Sequence, residues 1–367
     1  MPEVVELREV TDRRDVIHRA VQRLSAGELV VLPSEAGYVA AGLALAEGTG
    51  SRLVNGDATL TLLVRAADET TDFLPHLSPV GLRLARRCWP GPLVLRAPVN
   101  VTNGFPGFLQ VLPEATRRAL TPNGELALRV SSHPVLSEVA KLLRGPLMVR
   151  ELESFPSSKD FELPAWCDVT LAVHEGPPPS APASVVRVTD QGWTAERLGA
   201  FNENRLQLAA SELIVFVCTG NTCRSPMAEA LFRNLLAQRL KCPPTELTAR
   251  GFNVASAGLA GDYGSQASPE SVEMMRRRGI DLRAHASQPL TDRLLDHADR
   301  CYTMTNHHRN AILESHPELA GQVQVLARDG TDISDPIGSG MNEYAACAAS
   351  IEHHLTKILD EILERPS

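Results

Sequence analysis

Apolar residues recur at helical spacing over residues 14–25. The run Glu28-Leu-Val-Val-Leu32 follows and is closed by Pro33, so the chain opens with a helix and then a strand. Residues 125–130, 168–173 and 184–188 carry further strand-like runs. The proline-rich stretch 176–182 reads as a rigid surface loop and not a domain boundary, because a strand pattern resumes after it. Residues 201–211 are polar and lack strand character, which marks them as a linker. Beyond them strand and helix alternate: a buried-strand run at 213–217, a helix over 226–240, strands at 300–304 and 322–326, and a closing helix from Asn342. That last helix places Tyr344, Ile351, Leu355, Ile358 and Ile362 on one face, ready to pack on a sheet. Strand and helix in alternation predict an α/β fold with a parallel sheet wrapped by helices. The expected organisation is a domain over 1–200, a linker over 201–211 and a second domain over 212–367, with no internal repeats.

At roughly 100–200 residues per domain, 367 residues also make two domains, each long enough to bury its own core. Up to Ala200 there are 20 basic and 23 acidic residues, and beyond it 16 and 21, which together give the net charge of −8. Neither half is basic, so no extended footprint for nucleic acid is expected. Seven scattered cysteines fit free thiols in a reducing compartment, and none shows zinc-ligand spacing. Acids and arginines interrupt the first 16 residues, and no uncharged apolar run reaches membrane-spanning length. The expectation is a cytoplasmic protein without membrane contact.

Between the strand at 213–217 and the helix from Pro226 lies Cys218-Thr219-Gly220-Asn221-Thr222-Cys223-Arg224-Ser225. A loop at the carboxyl end of a parallel strand is where open sheets bind ligands. Ser225 as N-cap and Pro226 as first helical residue would aim the free N–H groups of the helix into the loop, making an anion site. A cysteine there would have its thiolate stabilised by the helix end, the loop amides and Arg224. The guanidinium fork of Arg224 suits two equatorial phosphoryl oxygens, and the amides suit the third. Gly220 and Asn221 suit positive backbone angles that would turn the amides inward. The bland alternative is a buried cysteine and an arginine in an incidental turn. A displaced leaving group needs a proton, so the chemistry calls for a carboxyl group opposite the cysteine; no metal or cofactor is called for.

The segment Val217-Cys-Thr-Gly-Asn-Thr-Cys-Arg-Ser-Pro-Met-Ala-Glu-Ala230 resembles the signature of low-molecular-weight protein-tyrosine phosphatases, and most closely that of their bacterial protein-arginine phosphatase branch. Ser256-Ala-Gly258, Gly279-Ile-Asp-Leu282 with His285, Asp299 through Thr305, and Asp332-Ile-Ser-Asp-Pro-Ile-Gly338 resemble further family elements in order. The resemblance implies hydrolysis of a phosphorylated protein side chain through a phosphocysteine on Cys218, with Arg224 in the cradle and Asp335 as general acid. Asp332 is a turn residue or loop support. Thr219, Gly220, Asn221, Thr222, Cys223 and Ser225 would form the phosphate-binding loop, with Asn221, Ser225, Ser256 and His285 in a supporting hydrogen-bond network. Cys223 is either a redox partner of Cys218 or a small buried thiol; Cys301 and Met304 are core residues. Arsenate reductases share the cradle but need a close redox cysteine pair downstream, which Cys301 lacks.

Substrate choice would turn on Thr222 and Ile337. Tyrosine-specific relatives carry a bulkier aliphatic residue at the first position, whereas the arginine branch has threonine, which leaves room for a flat phosphoguanidinium. Tyrosine enzymes also tend to place aromatics after the Asp-Pro, and the arginine enzymes often keep one there, so Ile337 and Gly338 depart from both patterns. Threonine can also pack like valine without affecting choice, so phosphoarginine leads and phosphotyrosine is the alternative.

The first domain resembles the YrdC-like, threonylcarbamoyl-AMP synthase family. The resemblance rests on Val31-Leu-Pro-Ser-Glu35 with Tyr38 and Gly42, Trp89-Pro-Gly-Pro-Leu93, Leu128-Arg-Val130 with His133-Pro134, and Pro182-Ala-Ser-Val-Val186 with Arg197-Leu-Gly199. It implies a twisted, mixed sheet with a concave face. The family's basic Lys-x-Arg segment is replaced by Arg52-Leu-Val-Asn-Gly-Asp57 and its Ser-x-Asn element by Arg150-Glu-Leu152. Losing positive charge where a triphosphate must sit points to a degenerate module, with Tyr38, Arg129 and Ser184 kept as structure. That module would bind a nucleotide or another small ligand, or serve regulation. Two other readings stay open: a bifunctional protein that also makes threonylcarbamoyl-AMP, and a scaffold whose cradle holds phosphate groups without turnover.

Overall fold

A computed structural model describes residues 2–54, 59–99, 105–152, 166–177 and 179–364. The chain divides into two compact units, Met1–Ala209 and Ala210–Ser367.

The first unit is a mixed sheet of ten strands among the described residues. In chain order its elements are β1 (Glu3–Glu6), α1 (Arg13–Ser25), β2 (Leu29–Ser34), β3 (Gly37–Leu43), α2 (Thr49–Leu53), β4 (Thr61–Leu63), α3 (Thr70–Phe73) and α4 (Pro79–Cys88). Then come β5 (Leu93–Pro98), α5 (Glu114–Leu120), β6 (Glu125–Arg129), α6 (Pro134–Leu142), β7 (Leu147–Glu151), β8 (Val169–His174), β9 (Ser184–Thr189), β10 (Gly192–Arg197) and α7 (Glu203–Ala210). The strand order is β1-β8-β2-β3-β7-β4-β6-β5-β9-β10. The β2–β3 pair is antiparallel and the β2–β8 pair parallel, so the sheet is mixed as the resemblance implied. Val16, Ile17, Ala20 and Leu24 of α1 lock onto the sheet through Val30, Leu32 and Leu171, all buried.

Two local expectations change here. Pro33 lies inside β2 and does not close it, because it pairs with Tyr38 next to the turn, where the ladder is ending. Residues 201–211, expected as a linker, carry helix α7: Asn202 caps it by accepting the Arg205 N–H at 2.9 Å, and Leu206, Ala209 and Ala210 are buried. An apolar stripe of three residues in eight was too short to show as a helical period.

The second unit contains β11 (Glu212–Cys218), α8 (Arg224–Leu240), β12 (Phe252–Gly258), α9 (Pro269–Arg277), α10 (Asp292–His297), β13 (Arg300–Thr303), α11 (Asn306–Ser315), β14 (Val323–Val325) and α12 (Met341–Leu363). Its four strands run parallel in the order β12-β11-β13-β14. Strand period two divides β11 between two cores. Leu213, Val215 and Val217 meet Leu295, Cys301 and Ile312 on one face, while Ile214, Phe216 and Cys218 meet Met227, Leu231, Met304 and Tyr344 on the other. Tyr344, Ile351, Leu355, Ile358 and Ile362 all bury against that second face, as their spacing predicts. Among the described residues no helix is long and apolar enough to cross a membrane.

Candidate active site

Because β11 alternates, its last residue, Cys218, emerges on the face covered by α8 and only 3% of its surface is exposed. The chain then wraps around the sulfur. Asn221 N–H points at Cys218 Sγ at 3.3 Å, and Ser225 Oγ stands 3.0 Å from the same atom. Asn221 has φ 55°, the left-handed conformation that asparagine tolerates. Gly220, expected to share that role, has no positive φ.

The amides face inward because the carbonyls are held outward. Leu259 N–H takes the Cys218 carbonyl at 3.0 Å, Ala260 N–H the Thr219 carbonyl at 2.9 Å, and Ser268 N–H the Thr222 carbonyl at 2.9 Å. His285 Nε2 sits 2.8 Å from the Asn221 carbonyl. With their oxygens spent on neighbours, these peptide units can offer only N–H groups to the centre of the loop. The backbone of β12 lies close beneath: a Cβ on Gly258 would stand 2.6 Å from the Thr219 oxygen and 3.0 Å from the Asn221 nitrogen.

Helix α8 begins at Arg224 with Cys223 at the N-cap, two residues earlier than expected. Ser225 is therefore not the cap. Its hydroxyl is engaged with Cys218 Sγ, Asn221 Nδ2 at 2.9 Å and the Ala257 carbonyl at 3.3 Å. The side chain of Asn221 is wholly buried and also donates to Ser256 Oγ at 2.9 Å while accepting the Gln288 N–H at 2.9 Å. Ser256 in turn donates to Glu229 at 2.7 Å. Burial pushes the Glu229 carboxyl above its ordinary range, against the smaller pull of Ser256 and Arg233. Asn221, Ser225, Ser256 and His285 thus meet in one network, as expected, and Glu229 and Gln288 join it unforeseen.

Arg224 is 5% exposed, donates to the Ile333 carbonyl at 3.3 Å and to Thr219 Oγ1 at 3.4 Å, and forms an ion pair with Asp335. Guanidinium and carboxylate are therefore paired from segments more than a hundred residues apart, with the guanidinium also bonded back to the loop at Thr219. Asp335 Oδ1 accepts the Ile337 N–H at 3.2 Å, and Ile337 is 65% exposed. Asp332 accepts from Asn306 N–H at 2.7 Å and Nδ2 at 3.0 Å, so it supports the start of α11. Cys223 is a buried free thiol 3.4 Å from Tyr344 Oη; burial and that sulfur push the phenol up to about 12. Thr222 Oγ1 lies 3.8 Å from Cys223 Sγ. Cys301 and Met304 are fully buried. His308, which no motif flagged, holds Thr219 at 2.9 Å. The acid inside the signature stretch, at Met227-Ala-Glu-Ala230, was a signal for Glu229; His308 offered none.

In the first unit a cavity of about 550 Å³ is lined by Tyr38, Arg96, Arg150, Glu151 and Arg197 among others. Its cations are engaged by the protein. Arg96 pairs with Glu196 at 2.9 Å and Arg197 with Glu151 at 2.5 Å. Arg150 lies over the Trp166 ring at 3.9 Å and donates to the Leu53 carbonyl. Arg129, 2% exposed, pairs with Glu35 at 3.0 Å, Tyr38 Oη donates to the Gly176 carbonyl, and Ser184 Oγ accepts the Gly199 and Phe201 N–H groups. Arg52 donates to the Gly27 and Asp168 carbonyls; Asn55, Gly56 and Asp57 lie outside the described residues. Among the described residues no cluster of side chains could hold a metal ion.

Residues 213–366 match the family model for low molecular weight phosphotyrosine protein phosphatase, and residues 22–199 match the Sua5, YciO and YrdC model described as telomere recombination. The protein-arginine-phosphatase of Bacillus subtilis is 34% identical over 153 residues, covering 41% of this chain and 95% of the relative. That of Geobacillus stearothermophilus is 35% identical over the same length, with the same coverage. The "Probable low molecular weight protein-tyrosine-phosphatase EpsP" of Ralstonia solanacearum is 36% identical over 140 residues, 38% of this chain and 88% of the relative.

Proposed function

We propose that this chain, which belongs through residues 213–366 to the low molecular weight phosphotyrosine protein phosphatase family, is a cysteine-dependent hydrolase of phosphorylated protein side chains. One observation carries the reading: Cys218 Sγ faces the Asn221 N–H at 3.3 Å and Ser225 Oγ at 3.0 Å, and Arg224, where the loop enters α8, is paired with Asp335 from a distant segment. A phosphoryl group entering the cradle would replace Asp335 on the guanidinium and free that carboxyl for the leaving atom. The freed Asp335 carboxylate takes a proton from solvent; Cys218 Sγ, as thiolate, attacks phosphorus, the bond to the leaving atom breaks, and Asp335 passes that proton to the leaving atom. Arg224 and the inward amides of residues 219–225 carry the charge of the equatorial oxygens. In the second half Asp335 takes a proton from water, the water oxygen attacks phosphorus, and the S–P bond breaks to return Cys218 and inorganic phosphate. Ser225 steadies the departing sulfur.

Phosphoarginine is the proposed substrate. Thr222 is small and polar, and the two arginine-phosphatase relatives align with this chain over 153 residues. The relative named as a tyrosine phosphatase keeps phosphotyrosine as the competing substrate. Hydrolysis of phosphoarginine and phosphotyrosine peptides side by side, with Cys218→Ser as control, decides between them. Dominant phosphotyrosine turnover rejects the arginine assignment; turnover that survives Cys218→Ser rejects the mechanism.

For the first unit we favour a degenerate YrdC-like module, since two of the arginines lining its cavity, Arg197 and Arg96, are already paired with Glu151 and Glu196, and Arg150 is engaged with the Trp166 ring and the Leu53 carbonyl. Pyrophosphate release from ATP with threonine and bicarbonate would show instead that it retains synthase activity. The seven free thiols support a reducing compartment such as the cytoplasm.

A further inference from the structure

His308 lies in the first turn of α11 and only 3% of it is exposed. Its two ring nitrogens are both engaged: Nε2 is 2.9 Å from Thr219 Oγ1, and Nδ1 is 2.7 Å from Thr305 Oγ1. Thr219 belongs to the phosphate loop, and the same oxygen accepts a hydrogen bond from Arg224 Nη2 at 3.4 Å. A guanidinium can only donate. Thr219 is exposed, and the protein acceptor within reach of its hydroxyl proton is Nε2. That places the ring proton on Nδ1, where it donates to Thr305 Oγ1. The same threonine oxygen caps α11 by accepting the His308 backbone N–H at 3.2 Å. The reverse tautomer would aim Nε2–H and the guanidinium N–H at one oxygen and leave the Thr219 proton without a protein partner.

We propose that His308 is a positioning residue for phosphoryl transfer: by accepting the Thr219 hydroxyl proton it turns that oxygen's lone pairs toward Arg224 and holds the guanidinium in the cradle. This rests on the phosphatase reading above. The role requires a neutral ring, and the surroundings keep it neutral. Burial lowers the His308 pKa to about 4, helped by Arg224 and His307 and opposed by Asp335 and Asp332. Arg224 touches the equatorial oxygens, whose charge grows in the transition state, so misalignment of its fork weakens turnover more than binding.

Full-length protein is assayed with p-nitrophenyl phosphate, which does not depend on the side chain that physiological substrates carry. His308→Phe keeps the ring's bulk and removes the acceptor; kcat falls roughly ten- to hundredfold, the loss expected for one misaligned charge-assisted hydrogen bond, while KM stays within about threefold. His308→Gln places a carbonyl oxygen near the position of Nε2 and restores kcat to within about threefold of wild type. Thr219→Val falls as far as His308→Phe, and the double variant falls no further, because both remove one contact. Nitrogen-15 spectra of the wild-type imidazole show a protonated Nδ1 and a bare Nε2 at neutral pH. Undiminished kcat in His308→Phe, a His308→Gln variant as slow as His308→Phe, or a protonated Nε2 overturns the assignment. Should His308→Phe fail to fold, the glutamine variant, Thr219→Val and the spectrum still decide. Wild-type protein without Cys218-dependent turnover brings down the phosphatase reading and this one with it; normal wild-type turnover with an indifferent His308 brings down this one alone.

Discussion

Replacing Asn221 by alanine tests whether side-chain bonds hold the cradle in shape. The side chain is wholly buried and makes three hydrogen bonds at 2.9 Å, to Ser225, Ser256 and the backbone of Gln288. At about 1 kcal/mol net for each bond, their loss costs about 3 kcal/mol. Alanine at φ 55° adds about 1–2 kcal/mol, since its Cβ crowds the backbone in a conformation that asparagine tolerates. The total is about 4–5 kcal/mol. For a unit the size of Ala210–Ser367, each kcal/mol lowers the unfolding midpoint by about 2–4 °C, so the variant should melt about 8–20 °C lower. Calorimetry of the full chain measures this. All three tryptophans, Trp89, Trp166 and Trp193, precede residue 200, so their fluorescence assigns the N-terminal transition and leaves the other to the C-terminal unit. A fall of under 3 °C would refute the reasoning, because the loop would then keep its form without those bonds.

Glu229→Gln removes a carboxyl whose burial favours its protonated form. Ionisation of Glu229 therefore costs stability as pH rises above its unfolded value of 4.5 and through its raised folded one; the variant should be the more stable at pH 8 and equal to wild type below pH 4, read by urea unfolding. His308 titrates with the opposite slope: its folded pKa of about 4 lies below the ordinary 6.5, so the stability linked to its neutral form is complete above pH 6.5 and is lost as pH falls toward 4. Wild type should thus lose ground to His308→Gln across that window. Gly258→Ala would drive a methyl group to 2.6 Å from the Thr219 carbonyl and push the loop off the β12 backbone; turnover should fall at least tenfold, and unchanged kcat would show that the loop does not need that approach. Thr222→Ile should move preference from phosphoarginine toward phosphotyrosine peptides by about tenfold in relative kcat/KM, the scale of one or two methyl groups in a pocket.

Legibility followed the distance between interacting residues along the chain. The strand at 213–217, the loop and the start of α8 could be read because their signals lie within a few adjacent residues, down to Asn221 as the residue that takes positive φ. Even there the start of α8 was placed two residues late. Serine is a good cap in general, but this hydroxyl is held by Cys218 and Asn221, contacts that exist only once the loop has closed. Strand β12 showed only its Ser-Ala-Gly end, because Phe252-Asn-Val-Ala-Ser-Ala-Gly258 mixes small and polar residues and relies on β11 for its pairing. Helix α7 hid in a polar stretch whose three buried residues depend on packing.

The residue order by itself determined the two-unit α/β plan, the parallel alternation in the second unit, and a cysteine and an arginine at the two ends of a phosphate-sized loop. Such features arise from periodicity and neighbouring residues, which need no distant partner. Only tertiary structure decided that Asp335 pairs with Arg224, that Glu229 and Gln288 brace Asn221, and that His308 accepts from Thr219. Those partners come from loops and helices that meet through burial of the two faces of one sheet, and hydrogen bonds between them gain their strength from the water that this packing excludes.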